Sequence, residues 1–212
     1  MRGSPFRGVK LFKATGETKA LLAHAGHMFV TTEHGSHSTK GANTRKYWLL
    51  ASARMFPDGQ HYVFGQKKNH WEVRKEESIY RSLFEGVADS VSKACGPVPA
   101  NNEPWTVVCK YNQGQGVGAH TDSDYESSCD RIISMNLTGT AIFTIQDPQT
   151  KRWHNMSLRP GDIVVFNRQL RHGVAECTGG PRINVTVRYA RPNAPNRFKN
   201  PPWYAESSSE EE

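Results

Sequence analysis

Cysteine is sparse in this chain. Cys95, Cys109, Cys129 and Cys177 include no Cys-x-x-Cys pair. Neither a zinc knuckle nor a disulfide framework is therefore expected. Buried free thiols in a reducing, intracellular setting, cytoplasmic or nuclear, are the simplest reading. No stretch approaches the roughly 20 apolar residues of a membrane span. Residues 1–13 lack the apolar segment of a secretory leader, so a membrane partner is not expected. No internal repeat is visible. Acidic residues are the scarcer charge, 20 against 27 Lys and Arg, which leaves a formal net charge of +7. With a pI near 9.3, an anionic partner such as nucleic acid is favoured.

The length of 212 residues suits one domain with a sizeable core. Residues 1–25 carry little pattern and read as an N-terminal extension. Gly26–Thr32 reads as a strand, 33–45 as a loop by composition, and 46–56 as a strand. Pro57-Asp58-Gly59 is a turn, after which His61–Gly65 would return as the second arm of a hairpin. From Glu76 to Cys95 the apolar residues Ile79, Tyr80, Leu83, Phe84, Val87, Val91 and Ala94 recur at three and four, the spacing of an amphipathic helix. Gly96-Pro97 ends it. Beyond Pro104 the pattern is eight short strands, 105–111, 117–122, 131–137, 140–146, 152–158, 162–167, 171–175 and 182–190, separated by Gly, Pro and Asp turns. This is a mainly β (α+β) chain, and the strands suggest a jelly-roll core. The implied division is 26–104 as N-terminal strands and a supporting helix, 105–190 as the core, and 191–212 as a flexible tail ending in acidic residues.

The chemistry-bearing residues fall at strand spacing. His120 and Asp122 are two apart and share a face, and so do Arg182, Asn184, Thr186 and Arg188. Ile183, Val185 and Val187 make the opposite face of that last strand apolar. Two His and one carboxylate, with His172 as the second His, are the ligand set of a facial-triad iron site. Zinc also accepts such ligands. Two arginines on one face suit an anionic co-substrate, which a zinc hydrolase does not need, so iron is preferred.

These stretches together resemble the AlkB family of iron(II)/2-oxoglutarate dioxygenases, whose fold is the double-stranded β-helix. The resemblance is strong over about 105–190 and loose over 46–104. The motifs are Cys109-Lys110-Tyr111-Asn112-Gln113-Gly114, His120-Thr121-Asp122-Ser123-Asp124, His172, and Arg182-Ile183-Asn184-Val185-Thr186-Val187-Arg188. The Gly-rich approach from Gly114 to Gly118 is similar to the AlkB domains of plant RNA viruses, so the chain could be a domain of a larger polyprotein. The resemblance implies that His120, Asp122 and His172 bind Fe(II). It implies that Arg182 pairs with the distal carboxylate of 2-oxoglutarate, helped by Tyr111. Asn184 would contact the same co-substrate, and Arg188 would lie near its iron-bound end or the substrate base. Asp124 matches the carboxylate that helps to read a methylated base. One position departs: Cys109 stands where the family has asparagine, and a thiol is a weak donor.

The implied reaction uses Fe(II), 2-oxoglutarate and O2. It would hydroxylate an N-methyl group on a base of single-stranded RNA or DNA, releasing formaldehyde, succinate and CO2. Residues ahead of the core would form the substrate lid. Trp48, Phe56 and Phe64 are read mostly as core, with Tyr62 and Trp71 as the candidates for stacking on a base. Two other readings remain. One is the same chemistry on another substrate, whether 5-methylcytosine, a protein or a lipid. The other is a non-catalytic binding module. A monomer without an obvious protein partner is expected.

Overall fold

The computed structural model describes residues 6–32, 36–40, 43–50, 62–63, 70–71, 78–96, 103–122 and 130–190. The elements run β1 (Val9–Lys13), α1 (Gly16–Thr31), β2 (Ser36–Lys40), β3 (Asn43–Leu50), β4 (Tyr62–Val63), β5 (His70–Trp71) and α2 (Ser78–Cys95). Then come β6 (Glu103–Tyr111), β7 (Val117–His120), β8 (Arg131–Asn136), β9 (Ala141–Gln146), β10 (Trp153–Leu158), β11 (Asp162–Asn167), β12 (His172–Val174) and β13 (Arg182–Ala190).

From β6 onward the chain crosses repeatedly between two antiparallel sheets, with β9 and β10 consecutive in the smaller one. A seven-stranded sheet has the order β1-β11-β8-β13-β6-β3-β2, and a four-stranded sheet the order β10-β9-β12-β7. This interleaving is the jelly roll expected from the turn spacing. All eight strands of the second half are present, and α2 occupies the segment with helical period.

Alternation along the large-sheet strands separates three environments. Ile133, Met135, Ile163, Val165, Ile183, Val185 and Val187 face Leu22 and Phe29 of α1 and Phe84 and Ala88 of α2 in one apolar core. The residues between them point toward the small sheet. At one end these are apolar: Ile132, Val164 and Phe166 meet Phe143 and Ile145. At the other end they are polar and buried: Ser134, Asn136, Arg182 and Asn184. Deep burial of polar groups is stable only when they bond one another or a ligand. This polar end is the candidate site.

The N-terminal half departs from expectation. Residues 9–31 form a strand and a helix rather than a patternless extension. β1 pairs with β11 from Val9↔Phe166 to Lys13↔Asp162. The segment 26–32, read as a strand, is the second half of α1. Its contact face explains the misreading. A Cβ at Gly26 would lie 2.7 Å from both Leu137 Cβ and Thr138 Cγ2, so the helix packs through a glycine and Ala25 where a helical pattern needs a large residue. Leu21 and Met28 meanwhile sit exposed.

Residues 36–40, read as loop, form the edge strand β2 on β3. An edge strand needs backbone pairing on one side only, so its Ser, Thr, His and Lys give no alternating signal. The turn Pro57-Asp58-Gly59 and most of the hairpin read around it lie outside the described residues. β3 pairs with β2 and β6, while Tyr62–Val63 pairs with His70–Trp71. Residues 51–61 and the tail from 191 lie outside the described residues. Trp48 is buried against Phe29, as read.

Basic side chains from the sheet close both helix ends. Arg131 of β8 donates to the Cys95 and Gly96 carbonyls at 3.1 and 2.8 Å, and Lys110 of β6 donates to Val30 O. Unsatisfied carbonyls and the negative helix end both favour a cation there.

Candidate active site

Two antiparallel strands of the small sheet bring the histidines together. His172 of β12 lies opposite His120 of β7 in register. Their rings are 4.4 Å apart at 49°. Asp122 follows two residues after the end of β7, its amide held by Arg168 O at 2.9 Å. Each histidine uses Nδ1 on a carbonyl, His120 on Gly118 O at 2.8 Å and His172 on Leu170 O at 2.9 Å. A carbonyl only accepts, so Nδ1 carries the proton in each neutral ring and the Nε2 lone pair stays available. Both Nε2 atoms point at the same carboxylate. His120 Nε2 is 3.7 Å from Asp122 Oδ1, and His172 Nε2 is 3.5 Å from Asp122 Oδ2.

Among the described residues these three are the one group of His, Cys, Asp and Glu whose donor atoms, all within 4.8 Å of one another, can hold a metal ion. Small side-chain shifts would bring these three donor atoms onto one cation. The site opens toward His120, whose side chain is 26% exposed against 6% for Asp122 and His172.

The electrostatics suit a cation. Burial holds the imidazole of His172 down to about 4, leaving it neutral and a donor at pH 7. Burial also opposes ionisation of Asp122. Arg188, then His172 and His120, outweigh that and hold its carboxyl below the usual carboxylate value. With His172 neutral at pH 7, Arg188 carries most of this, through Nη2 at 3.0 Å from Asp122 Oδ1.

A pH dependence follows for the metal-free protein. The folded state takes up the His172 proton only near pH 4, whereas an unfolded His takes it up near 6.5. The unfolded state therefore binds more protons in that window. Stability is full above about pH 6.5 and declines by up to about 3 kcal/mol on acidification to 4. Thermal melts of chelator-treated protein at pH 7 and 5 should fall further for wild type than for His172→Gln. Equal falls would refute this account.

The anion-binding half lies on β13, β8 and β6. Arg182 is 1% exposed. Its Nε donates to Asn136 Oδ1 at 2.6 Å and its Nη2 to Asn184 Oδ1 at 2.9 Å. Ser134 Oγ donates to the same Asn184 oxygen at 3.0 Å, and Asn184 Nδ2 donates to Thr186 Oγ1 at 3.3 Å. The Arg182 guanidinium lies 5.1 Å from the Tyr111 ring centre. Its Nη1 is buried with no hydrogen-bond partner among the described residues. A buried, charged donor without an acceptor is costly. An incoming carboxylate would satisfy it, so the residues fit a dicarboxylate co-substrate.

Cys109 is buried on the same strand as Tyr111, two residues away, and lies opposite Asn184 in register. Asp124 lies outside the described residues. Tyr62 and Trp71 pair across β4 and β5, but only their backbones are described. Asn136 and Ser134 were not singled out from sequence. Their signal was two polar residues, two apart, within the apolar run Ile132-Ile133-Ser134-Met135-Asn136-Leu137.

A jelly roll holding a His-Asp-His cluster, its carboxylate paired with Arg188, has the ligand set of a non-haem iron oxygenase. The sequence model of the 2OG-Fe(II) oxygenase superfamily matches residues 36–188, and the chain belongs to that superfamily, which uses Fe(II), 2-oxoglutarate and O2. The AlkB-like resemblance of the motifs agrees with this membership. No curated protein matches the sequence.

Solved structures share the fold at low identity. OsALKBH1 superposes with a TM-score of 0.59 at 13% identity over 88% of this chain and 100% of that one. An oxidoreductase of the 2OG-Fe(II) oxygenase family from Burkholderia pseudomallei gives 0.63 at 15%, over 90% and 89%. A Pseudomonas putida prolyl-4-hydroxylase gives 0.56 at 12%, over 87% and 92%.

Proposed function

We propose that this oxygenase removes N-methyl groups from bases of single-stranded RNA or DNA. The observation that carries the reading is the polar face of β13. Arg182 there offers a buried unsatisfied donor, and Arg188 holds Asp122 beside the two histidines. This face bears the complete Arg-x-Asn-x-Thr-x-Arg motif that resembles the AlkB enzymes. The net charge of +7 adds attraction for a polyanion, and the fold likeness to OsALKBH1 is compatible with the reading.

When bound, iron(II) and 2-oxoglutarate supply the dioxygen activation that oxidises a C–H bond. The protein's residues do the rest. His120 and His172 present Nε2 to the metal, and Asp122 supplies the negative charge. Arg188 fixes the rotamer of Asp122 and keeps it ionised. Arg182 and Tyr111 hold the distal carboxylate, with Asn184 acting through Arg182. Burial of His172 and Arg182 keeps water from the inner end, while the His120 side admits the methylated base. Asp124, Tyr62 and Trp71 are assigned to reading and stacking that base, and Cys109 to lining the co-substrate pocket.

The test is a mass-spectrometric screen of methylated RNA and DNA oligonucleotides with iron, ascorbate and 2-oxoglutarate. Loss of about 14 mass units, one methyl replaced by hydrogen, with equimolar formaldehyde is expected from at least one substrate. 2-Oxoglutarate turnover that no methylated oligonucleotide stimulates, but that a prolyl peptide or another protein does, would overturn the nucleic-acid reading.

A further inference from the structure

We infer that Asn136 is a positioning residue that orients Arg182 so that it meets the co-substrate end-on, a role that rests on the dicarboxylate reading of Arg182 above. A guanidinium presents two bidentate edges, one formed by Nε with one terminal nitrogen and one formed by the two terminal nitrogens. Asn136 removes the first from use, because its Oδ1 accepts from Nε at 2.6 Å. One Nη2 hydrogen is spent on Asn184 Oδ1. The donors that remain are on Nη1 and the far side of Nη2, and Nη1 is the buried atom without a partner. The arginine is therefore held with Nη1, on its terminal edge, left to meet a carboxylate.

Asn136 is itself held on every side, which is what a positioning role requires. It is fully buried. Its Nδ2 donates to Gly139 O at 2.8 Å, and its own carbonyl accepts from Gly161 N at 2.8 Å. Gly139, at φ +65°, packs so closely that a Cβ there would lie 3.0 Å from Arg182 Cα. The turn after β8 thus grips Arg182 at its backbone through Gly139 and at its head through Asn136. An alanine at 136 would remove both the bond to Gly139 O and the acceptor of Arg182 Nε. The guanidinium could then rotate to either edge, and the distal carboxylate would meet it in several poses.

The role makes a selective prediction. Only ligands with a distal carboxylate use Arg182, so only they should feel Asn136. The Mn(II)-loaded protein is titrated calorimetrically with 2-oxoglutarate and with 2-oxopentanoate, which has the same chain but no distal carboxylate. Asn136→Ala should weaken 2-oxoglutarate binding by about tenfold or more and leave 2-oxopentanoate binding unchanged. In turnover the KM for 2-oxoglutarate should rise with kcat at saturation retained. Asn136→Ser, which keeps a small oxygen acceptor, should fall between wild type and alanine, and it serves if the alanine variant does not fold. Equal weakening of both acids, or no weakening of either, would overturn the positioning role while leaving the clamp reading intact. Failure of the wild-type protein to bind 2-oxoglutarate would overturn the clamp reading and this role with it.

Discussion

Asp122→Ala is expected to lower 2-oxoglutarate turnover by about a thousandfold or more, because it removes the only anionic member of the ligand set. Both histidines offer neutral nitrogens, so Asp122 alone offsets the charge of a divalent metal. The same carboxylate is the partner of Arg188 at 3.0 Å. Truncation would therefore leave a guanidinium facing the vacated metal position, which repels a cation as well as failing to bind it. Asp122→Asn separates the two contributions, since it keeps the shape and one oxygen while losing the charge. Succinate formation and Mn(II) affinity are the measurements. The alanine variant should show neither above background, and the asparagine variant should bind metal weakly. Retention of a tenth or more of wild-type turnover (about a tenfold loss only) by Asp122→Ala would remove the carboxylate from the metal set.

Arg182→Lys should raise the KM for 2-oxoglutarate by about ten- to a hundredfold although the charge is kept. An ammonium on a flexible stem cannot satisfy Asn136 Oδ1 and Asn184 Oδ1 at 2.6 and 2.9 Å and still present a two-point edge to a carboxylate. It also loses the guanidinium contact over the Tyr111 ring. Iron affinity should be unchanged, because Arg182 belongs to β13 and the metal cluster to the β7–β12 pair. A steady-state titration of co-substrate at saturating iron gives the result. A KM within twofold of wild type (about the experimental scatter) would mean that the dicarboxylate is held elsewhere.

The second half of the fold was legible because its physics is local. Strands β8, β11 and β13 of the large sheet are buried on both faces along most of their length, apolar toward the helices and either apolar or polar toward the small sheet. Turns such as Pro160-Gly161-Asp162 mark the boundaries. The metal ligands were legible for the same reason: period two places His120 and Asp122 together, and a jelly roll makes β7 and β12 neighbours. α1 was not legible. Its buried face is built from Leu22, Ala25, Gly26 and Phe29, and the glycine is demanded by Leu137 and Thr138, more than a hundred residues away in sequence. Tertiary packing there overrides both propensity and pattern. Asn136 escaped notice for a related reason: its meaning lies in the arginine it holds from another strand.

The packing of α1 bears on how small a working enzyme can be cut. Gly26 presses on Leu137 and Thr138. The Thr138 hydroxyl donates to Pro181 O and its oxygen accepts from Ile183 N, the two residues that flank Arg182. A truncation that began at residue 26 would remove Leu22 and Ala25 with the first turns of the helix, together with β1 and its pairing to β11. None of the deleted residues belongs to the proposed site. The shortened protein would nonetheless lose the abutment against which the arginine-bearing strand is braced, so expression trials seeking a minimal catalytic fragment should retain the chain from β1 onward.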